Sequence, residues 1–254
     1  MSATAVTRYL NSSALSEISA SEFQGKEPFP WVNPQYFIAP AHYQELLDNM
    51  PDISEFRAFF GKQRTHGQGS HDRYVLDYEE GMALHPSWQA FVDELRGPVY
   101  RDFVCRLLNV GDVRFRFHWH FTPDGGEVTP HCDSKGKIGS QIFYLNTDAD
   151  WNRNWGGETV VLDDGGRITP DNAPTFEEFD AEYPAETDDN RSLLFGRRGN
   201  SWHGVRKINC PEGYYRKVFI VVFEEHRPLK MAAKKFKRLV TGKPLVTHKE
   251  SLMY

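Results

Sequence analysis

A chain of 254 residues, 39% hydrophobic and 26% charged, can bury one large core, and no Pro/Ser/Gly-rich linker or internal repeat divides it. A formal charge of −5 gives no general drive toward nucleic acid, three cysteines are too few for a disulfide framework, and no apolar stretch approaches membrane-crossing length. Residues 1–20 mix Ser, Thr, Asn and Glu and lack the apolar run of a signal peptide, so the expected setting is the reducing cytoplasm, without nucleic-acid partners.

Residues 1–35 are polar and punctuated by proline, which favours irregular chain with short regular pieces. Apolar residues at helical intervals predict helices over 40–50 and 54–60, with Ser54 placed to cap the second. A firmer helix starts near Ser87, where Trp88, Phe91, Val92 and Leu95 form one apolar stripe. Gly97-Pro98 interrupts it, and a further helical piece from Val99 to Leu108 runs to Gly111, which ends it.

The texture changes at Asp112. Arg114, Arg116, His118 and His120 alternate with Phe115, Phe117, Trp119 and Phe121, the period of two that marks a strand. The alternation puts both histidines on one face without saying which face is inward, and they are not counted as metal ligands. Short strands recur to Phe223 between Gly- and Asp-rich turns. Helices first and strands afterwards indicate an α+β fold, one structural domain in which a helical and irregular region, 1–111, buttresses a β core over 112–225.

Residues 163–190 interrupt the core with an acidic insertion, in which Thr175 is placed to cap a short helix carrying Phe176, Phe179 and Tyr183 on one side. The insertion is either a lid beside a substrate entrance or a surface excursion pinned by those aromatics. Region 226–254 is of opposite charge. From Arg227 to Lys249 it has no Asp or Glu, and Leu229, Ala232, Ala233, Phe236, Leu239 and Val240 recur at helical spacing. Such a basic amphipathic helix meets a membrane surface or an acidic partner or, more commonly, docks on its own domain.

The chemistry concentrates in two short segments. Residues 130–133 read Pro-His-Cys-Asp, so in a strand His131 and Asp133 share a face while Cys132 points away. The apolar run Leu193-Leu194-Phe195 is placed to deliver His203 at or just after a strand end. Two imidazoles and a carboxylate on one side of a metal leave its other side open, the facial arrangement of non-haem Fe(II) oxygenases. An isolated His-x-Asp is weak evidence; the series around it is stronger. After Asp133 come Tyr144-Leu145-Asn146 at a strand end, the turn Gly156-Gly157-Glu158-Thr159, His203 and Arg216, in that order. Over roughly residues 113–223 this series resembles the Fe(II)/2-oxoglutarate dioxygenases of the prolyl 4-hydroxylase type.

The resemblance implies a double-stranded β-helix, or jelly roll, with the metal in its open mouth. It implies Fe(II) held by His131, Asp133 and His203, with 2-oxoglutarate and O2 as cosubstrates and ascorbate as a reductant. Oxidative decarboxylation of 2-oxoglutarate to succinate and CO2 is then coupled to hydroxylation of an unactivated C–H bond. The far carboxylate of 2-oxoglutarate needs a buried cation, and Arg216 matches the family position. Tyr144 matches a tyrosine whose hydroxyl binds the same carboxylate, Lys217 would face the other side of the strand, and Arg206 suits a surface or substrate-side role. Two positions depart from the pattern. Phe121 stands where relatives carry a cosubstrate-binding tyrosine, and Val218 and Ile220 where they often place Ser or Thr, so the carboxylate relies on Arg216, Tyr144 and His118, His120 or water. Asp133 argues against a halogenase, which needs a small residue there.

For the substrate, the resemblance suggests a protein or peptide side chain or a polar small molecule such as a sugar. Lys135, Lys137, Arg197 and Arg198, near the ligand segments, would favour an anionic sugar, nucleotide or acidic peptide, unless they are solvated loop charges. The alternative is a non-catalytic metal-binding or ligand-sensing module on the same β scaffold. A third reading is a membrane- or complex-associated protein organised by residues 227–249.

Overall fold

The computed structural model describes residues 7–62 and 68–225. The basic helix expected over 227–249 lies outside the described residues. The chain opens with two short helices, α1 (Ser12–Glu17) and α2 (Ala20–Gln24), capped by the side chains of Asn11 and Ser19. Strand β1 (Trp31–Val32) and helix α3 (Pro40–Asp48) follow, with Pro40 in the first turn, where its missing N–H costs nothing.

The helix expected over 54–60 does not form. Asp52 caps a single 3-10 turn, Ile53–Glu55, and the chain then extends as β2 (Arg57–Phe59). This strand pairs with β3 (Arg73–Asp77), Phe59 opposite Arg73, so non-local backbone pairing overrides a weak helical pattern. Helices α4 (Pro86–Arg96) and α5 (Pro98–Leu108) meet at Gly97-Pro98. The His85 side chain accepts from the Ser87 N–H at the start of α4, whose stripe of Trp88, Phe91, Val92 and Leu95 is buried throughout. Helix α5 ends at Leu108 as expected, but Asn109 rather than Gly111 takes the left-handed conformation that ends it (φ 54°). Asparagine tolerates that region better than other side chains do.

Eight strands complete the fold: β4 (Val113–Thr122), β5 (Val128–His131), β6 (Lys137–Tyr144), β7 (Thr159–Asp163), β8 (Ala181–Pro184), β9 (Ser192–Gly196), β10 (His203–Val205) and β11 (Arg216–Glu225). They make a seven-stranded antiparallel sheet, β1-β9-β6-β11-β4-β3-β2, and a four-stranded one, β5-β10-β7-β8, the expected jelly-roll sandwich. Among the described residues no helix is long and apolar enough to cross a membrane.

The alternation in β4 resolves into two faces. Phe117, Trp119 and Phe121 face the helices: Trp88 lies 5.1 Å from Trp119 and 5.1 Å from Phe219, and Phe91 lies 5.6 Å from Phe143, ring centre to ring centre. Each buried aromatic contributes about 1.5–3 kcal/mol, which fastens α4 across the back of the large sheet. The other face looks at the small sheet, and register aligns it in rows. Val75 stands opposite His120 and His120 opposite Val218, which is opposite Tyr144; the next row is Asp77, His118, Ile220 and Ile142.

The insertion is partly β structure. Thr175 and Glu178 form a capping box around a three-residue 3-10 turn, Phe176–Glu178, in place of the expected helix. Strand β8 then pairs with β7 and widens the small sheet. Phe179 packs 5.7 Å from Trp202, whereas Tyr183, on the two-residue period of β8, is turned out and 39% exposed.

Candidate active site

Strands β5 and β10 are neighbours in the small sheet, and their register sets His131 opposite His203, with ring centres 4.4 Å apart. His203 opens its strand rather than following one, because β9 ends at Gly196 and a loop intervenes. In each histidine Nδ1 donates to the backbone carbonyl two residues earlier, His131 to Thr129 and His203 to Ser201, both at 3.0 Å. A carbonyl only accepts, so Nδ1 carries the proton and Nε2 presents its lone pair. Asp133 lies just past the end of β5, and one donor atom from each of the three side chains falls within 4.8 Å of the others. All three residues are buried.

Two cations hold the Asp133 turn. Arg197 Nε donates to its backbone carbonyl at 2.9 Å, and Lys137 Nζ lies 2.7 Å from its carboxylate. Burial alone would raise the pKa of Asp133, but positive charge, chiefly the Lys137 ammonium 2.7 Å away, outweighs it and keeps the carboxyl well below its usual range. Two neutral imidazoles and an ionised carboxylate suit a divalent first-row metal such as ferrous ion. Cys132 packs away from them beside Trp202, its thiol pushed up to about 12 by burial.

Both sheets line one pocket over these residues, with about 860 Å³ of empty space including its mouth. Arg216, buried at the start of β11, faces into it. Its Nε donates to the Gly157 carbonyl and its Nη2 to Thr159 Oγ1 at 3.1 Å. Gly157 is required there: its φ is +94°, and an added Cβ would lie 3.1 Å from Arg216 Cδ. The Tyr144 ring lies 5.7 Å below the guanidinium, and its buried hydroxyl has no hydrogen-bond partner. A buried guanidinium beside an orphaned hydroxyl fits the far carboxylate of 2-oxoglutarate. Lys217, on the opposite face, pairs with Asp150 at 2.7 Å.

A further wall comes from β3 and β4, and the two histidines of β4, His118 and His120, face inward. His118 and His120 stack at 4.8 Å, and Asp77 lies 3.6 Å from His118 Nδ1. Beside them is Arg73, 3% exposed and bonded through Nη1 to the His71 carbonyl at 2.6 Å. Arg73 and Thr159 are among the pocket residues that the sequence did not assign to the site. Thr159 ends the Gly-Gly-Glu-Thr turn already singled out, whereas nothing local marks Arg73. The four loop cations do not form an anion site. Lys137 and Arg197 serve Asp133, Lys135 is exposed, and Arg198 bonds to Gln24. Arg206 pairs on the surface with Glu182 at 2.5 Å.

Residues 116–224 match the family model described as the 2OG-Fe(II) oxygenase superfamily. Over those residues the chain is similar to the 2OG-Fe(II) oxygenases. Solved structures share its fold at low identity. A Pseudomonas putida prolyl-4-hydroxylase aligns with a TM-score of 0.53 at 16% identity, over 82% of this chain and 98% of that one. A Trichoplax adhaerens prolyl hydroxylase, solved with a hypoxia inducible factor oxygen degradation domain peptide, aligns at 0.57 and 13%, over 83% and 89%. The α-ketoglutarate-dependent carbocyclase SnoK of nogalamycin biosynthesis aligns at 0.57 and 11%, over 84% and 86%. No curated protein matches the chain. The matched span thus has the double-stranded β-helix fold, and His131, Asp133, His203 and Arg216 all fall within it.

Proposed function

We propose that this protein is an Fe(II)- and 2-oxoglutarate-dependent dioxygenase that hydroxylates an unactivated C–H bond of a second substrate. The observation that carries the proposal is the convergence of His131, Asp133 and His203 in the pocket that Arg216 enters. In this reading those three residues hold ferrous ion, and Arg216 and Tyr144 hold 2-oxoglutarate. When bound, the metal and cosubstrate supply the oxidising chemistry, turning 2-oxoglutarate and O2 into succinate and CO2.

The chain's own work is binding and orientation. The Thr129 and Ser201 carbonyls fix the tautomers of the two histidines, and Lys137 keeps Asp133 ionised. Gly157 and Thr159 aim the Arg216 fork, which holds a carboxylate through paired hydrogen bonds in surroundings where an unpaired charge is very costly. Ile142, Val205, Ile220 and Val222 give the pocket an apolar lining that limits water near the reacting bond. Ascorbate as auxiliary reductant and a cytoplasmic setting belong to the same proposal; Cys105, Cys132 and Cys210 are free thiols, as a reducing compartment keeps them.

The test is succinate formation by purified protein given Fe(II), O2 and 2-oxoglutarate. We expect turnover that needs all three and is lost in His131→Ala. Stoichiometric Fe(II) binding with neither 2-oxoglutarate binding nor decarboxylation would overturn the proposal in favour of a metal-binding module.

A further inference from the structure

One row of the large sheet is polar at one end and apolar at the other. Cross-strand register aligns Asp77, His118, Ile220 and Ile142 across β3, β4, β11 and β6, and all four line the pocket, facing the sheet that carries His131 and His203. Arg216 is opposite Thr122, and the row between holds His120, Val218 and Tyr144, so His118 stands beyond Tyr144 on the side away from Arg216. A molecule that presents a C–H bond to the proposed metal, while 2-oxoglutarate occupies the Arg216 end, has this row to lie against. Its polar end is prepared for a ligand. Asp77 lies 3.6 Å from His118 Nδ1 and is itself held by Arg57 from β2. A carboxylate on that side favours the tautomer with its proton on Nδ1 and leaves the Nε2 lone pair as an acceptor. The other neighbour of the imidazole is the His120 ring, stacked at 4.8 Å, a face contact that takes up neither nitrogen.

We propose that His118 is a recognition residue for a neutral, hydroxyl-bearing small-molecule substrate, accepting the hydroxyl's hydrogen bond on Nε2 while the substrate's carbon frame rests on Ile220 and Ile142. This rests on the oxygenase reading and names the substrate class for it. The row discriminates between classes of ligand. An anion placed here meets the Asp77 carboxylate and a ring lone pair, both of which only accept. A cation meets the positive charges of Arg116 and Lys137 around His118, and the charge of Asp77 is already balanced by Arg57. Burial, with Arg116 and Lys137, holds the imidazole below its ordinary pKa against the pull of Asp77, so it faces the ligand uncharged. A hydroxyl donates without carrying charge. The two isoleucines continue the row across β11 and β6, so carbon attached to that hydroxyl is covered by apolar surface.

The test uses matched probes. Cyclohexanol and cyclohexyl methyl ether share a carbon frame and differ in the O–H donor, and cyclohexylammonium and cyclohexanecarboxylate replace that donor by a charge. Each is titrated into protein holding Mn(II) and 2-oxoglutarate, and the paramagnetic relaxation of its protons is read by NMR. Cyclohexanol should bind wild type about 2- to 12-fold more tightly than the ether, the range of one net neutral hydrogen bond, and more tightly than either charged probe. In His118→Leu, and in His118→Asn, whose polar atoms stop short of the Nε2 position, alcohol and ether should bind alike. Circular dichroism shows that each variant is folded, and 2-oxoglutarate affinity should be unchanged in both. Four results would overturn the proposal: no alcohol binding by wild type, no preference for alcohol over ether and the charged probes, a preference that survives in a folded variant, or 2-oxoglutarate affinity falling in both folded variants, which would put His118 at the cosubstrate end. If wild type binds neither Mn(II) nor 2-oxoglutarate, the oxygenase reading fails separately, and the same titrations read by saturation transfer on metal-free protein still decide the role of His118.

Discussion

His203 is the cross-strand partner of His131, and each imidazole is locked by a hydrogen bond to the carbonyl two residues before it. The small sheet therefore brings the two proposed metal ligands together through its own register. His131→Ala and His203→Ala should each lose more than about 100-fold in Fe(II) affinity, beyond the usual effect of removing an outer-shell partner. Calorimetric titration under nitrogen checks this, and stoichiometric tight binding by either variant would remove that histidine from the ligand set.

Thr159 gives a finer probe of the proposed cosubstrate end, because its hydroxyl accepts from the Arg216 guanidinium. Thr159→Val keeps the shape and removes the acceptor for Arg216 Nη2. Losing one hydrogen bond of about 0.5–1.5 kcal/mol predicts a KM for 2-oxoglutarate raised roughly 2- to 12-fold with kcat little changed. Arg216→Gln should raise it much further. Equal effects of the two variants on kcat alone would show that neither serves binding.

How much of this was legible beforehand follows the range of each interaction. The grouping of His131, Asp133 and His203 in the pocket that Arg216 enters could be anticipated because short motifs in a fixed order place them, and the apolar stripe of α4 because 3.6-residue spacing is local. The strand at Arg57–Phe59 was not, since it exists only by pairing with Arg73–Asp77, across the gap in sequence between them. Arg73 was missed for the same reason: its face depends on the β3–β4 register. Tyr183 was misplaced because a strand turns it out where a helix would have grouped it with Phe176 and Phe179.

Gly204 links the acidic insertion to the proposed metal centre. A Cβ there would lie 2.7 Å from the Val128 carbonyl and 2.8 Å from the Phe176 ring, so β10 lies close to both β5 and the insertion only because this residue has no side chain. Gly204→Ala should push β5 from β10, destabilise the protein by about 1–3 kcal/mol and weaken Fe(II) binding through displacement of His203. Adding Phe176→Leu should recover part of the metal affinity by relieving the ring contact. Urea unfolding and metal titration read the two effects, and an unaltered Gly204→Ala protein would mean that the insertion does not brace His203.

His118 and His120 make stability depend on pH in a defined window. Burial lowers both pKa values; Asp77 partly opposes this at His118, while Arg73, His118, His71 and Arg216 reinforce it at His120. The folded protein thus keeps His120 neutral below the ordinary value of about 6.5, whereas the unfolded chain takes up its proton there. The unfolded state binds more protons, so the contribution of neutral His120 is fully present above about pH 6.5 and is lost as pH falls toward the lowered folded value. Its slope is up to about 1.4 kcal/mol per pH unit. Urea unfolding of metal-free protein at pH 7, 6 and 5 should show a flatter pH dependence for His120→Leu than for wild type. His131 and His203 are present in both proteins and cancel from the comparison. Parallel stability curves for the two would show that His120 is not held neutral in the fold.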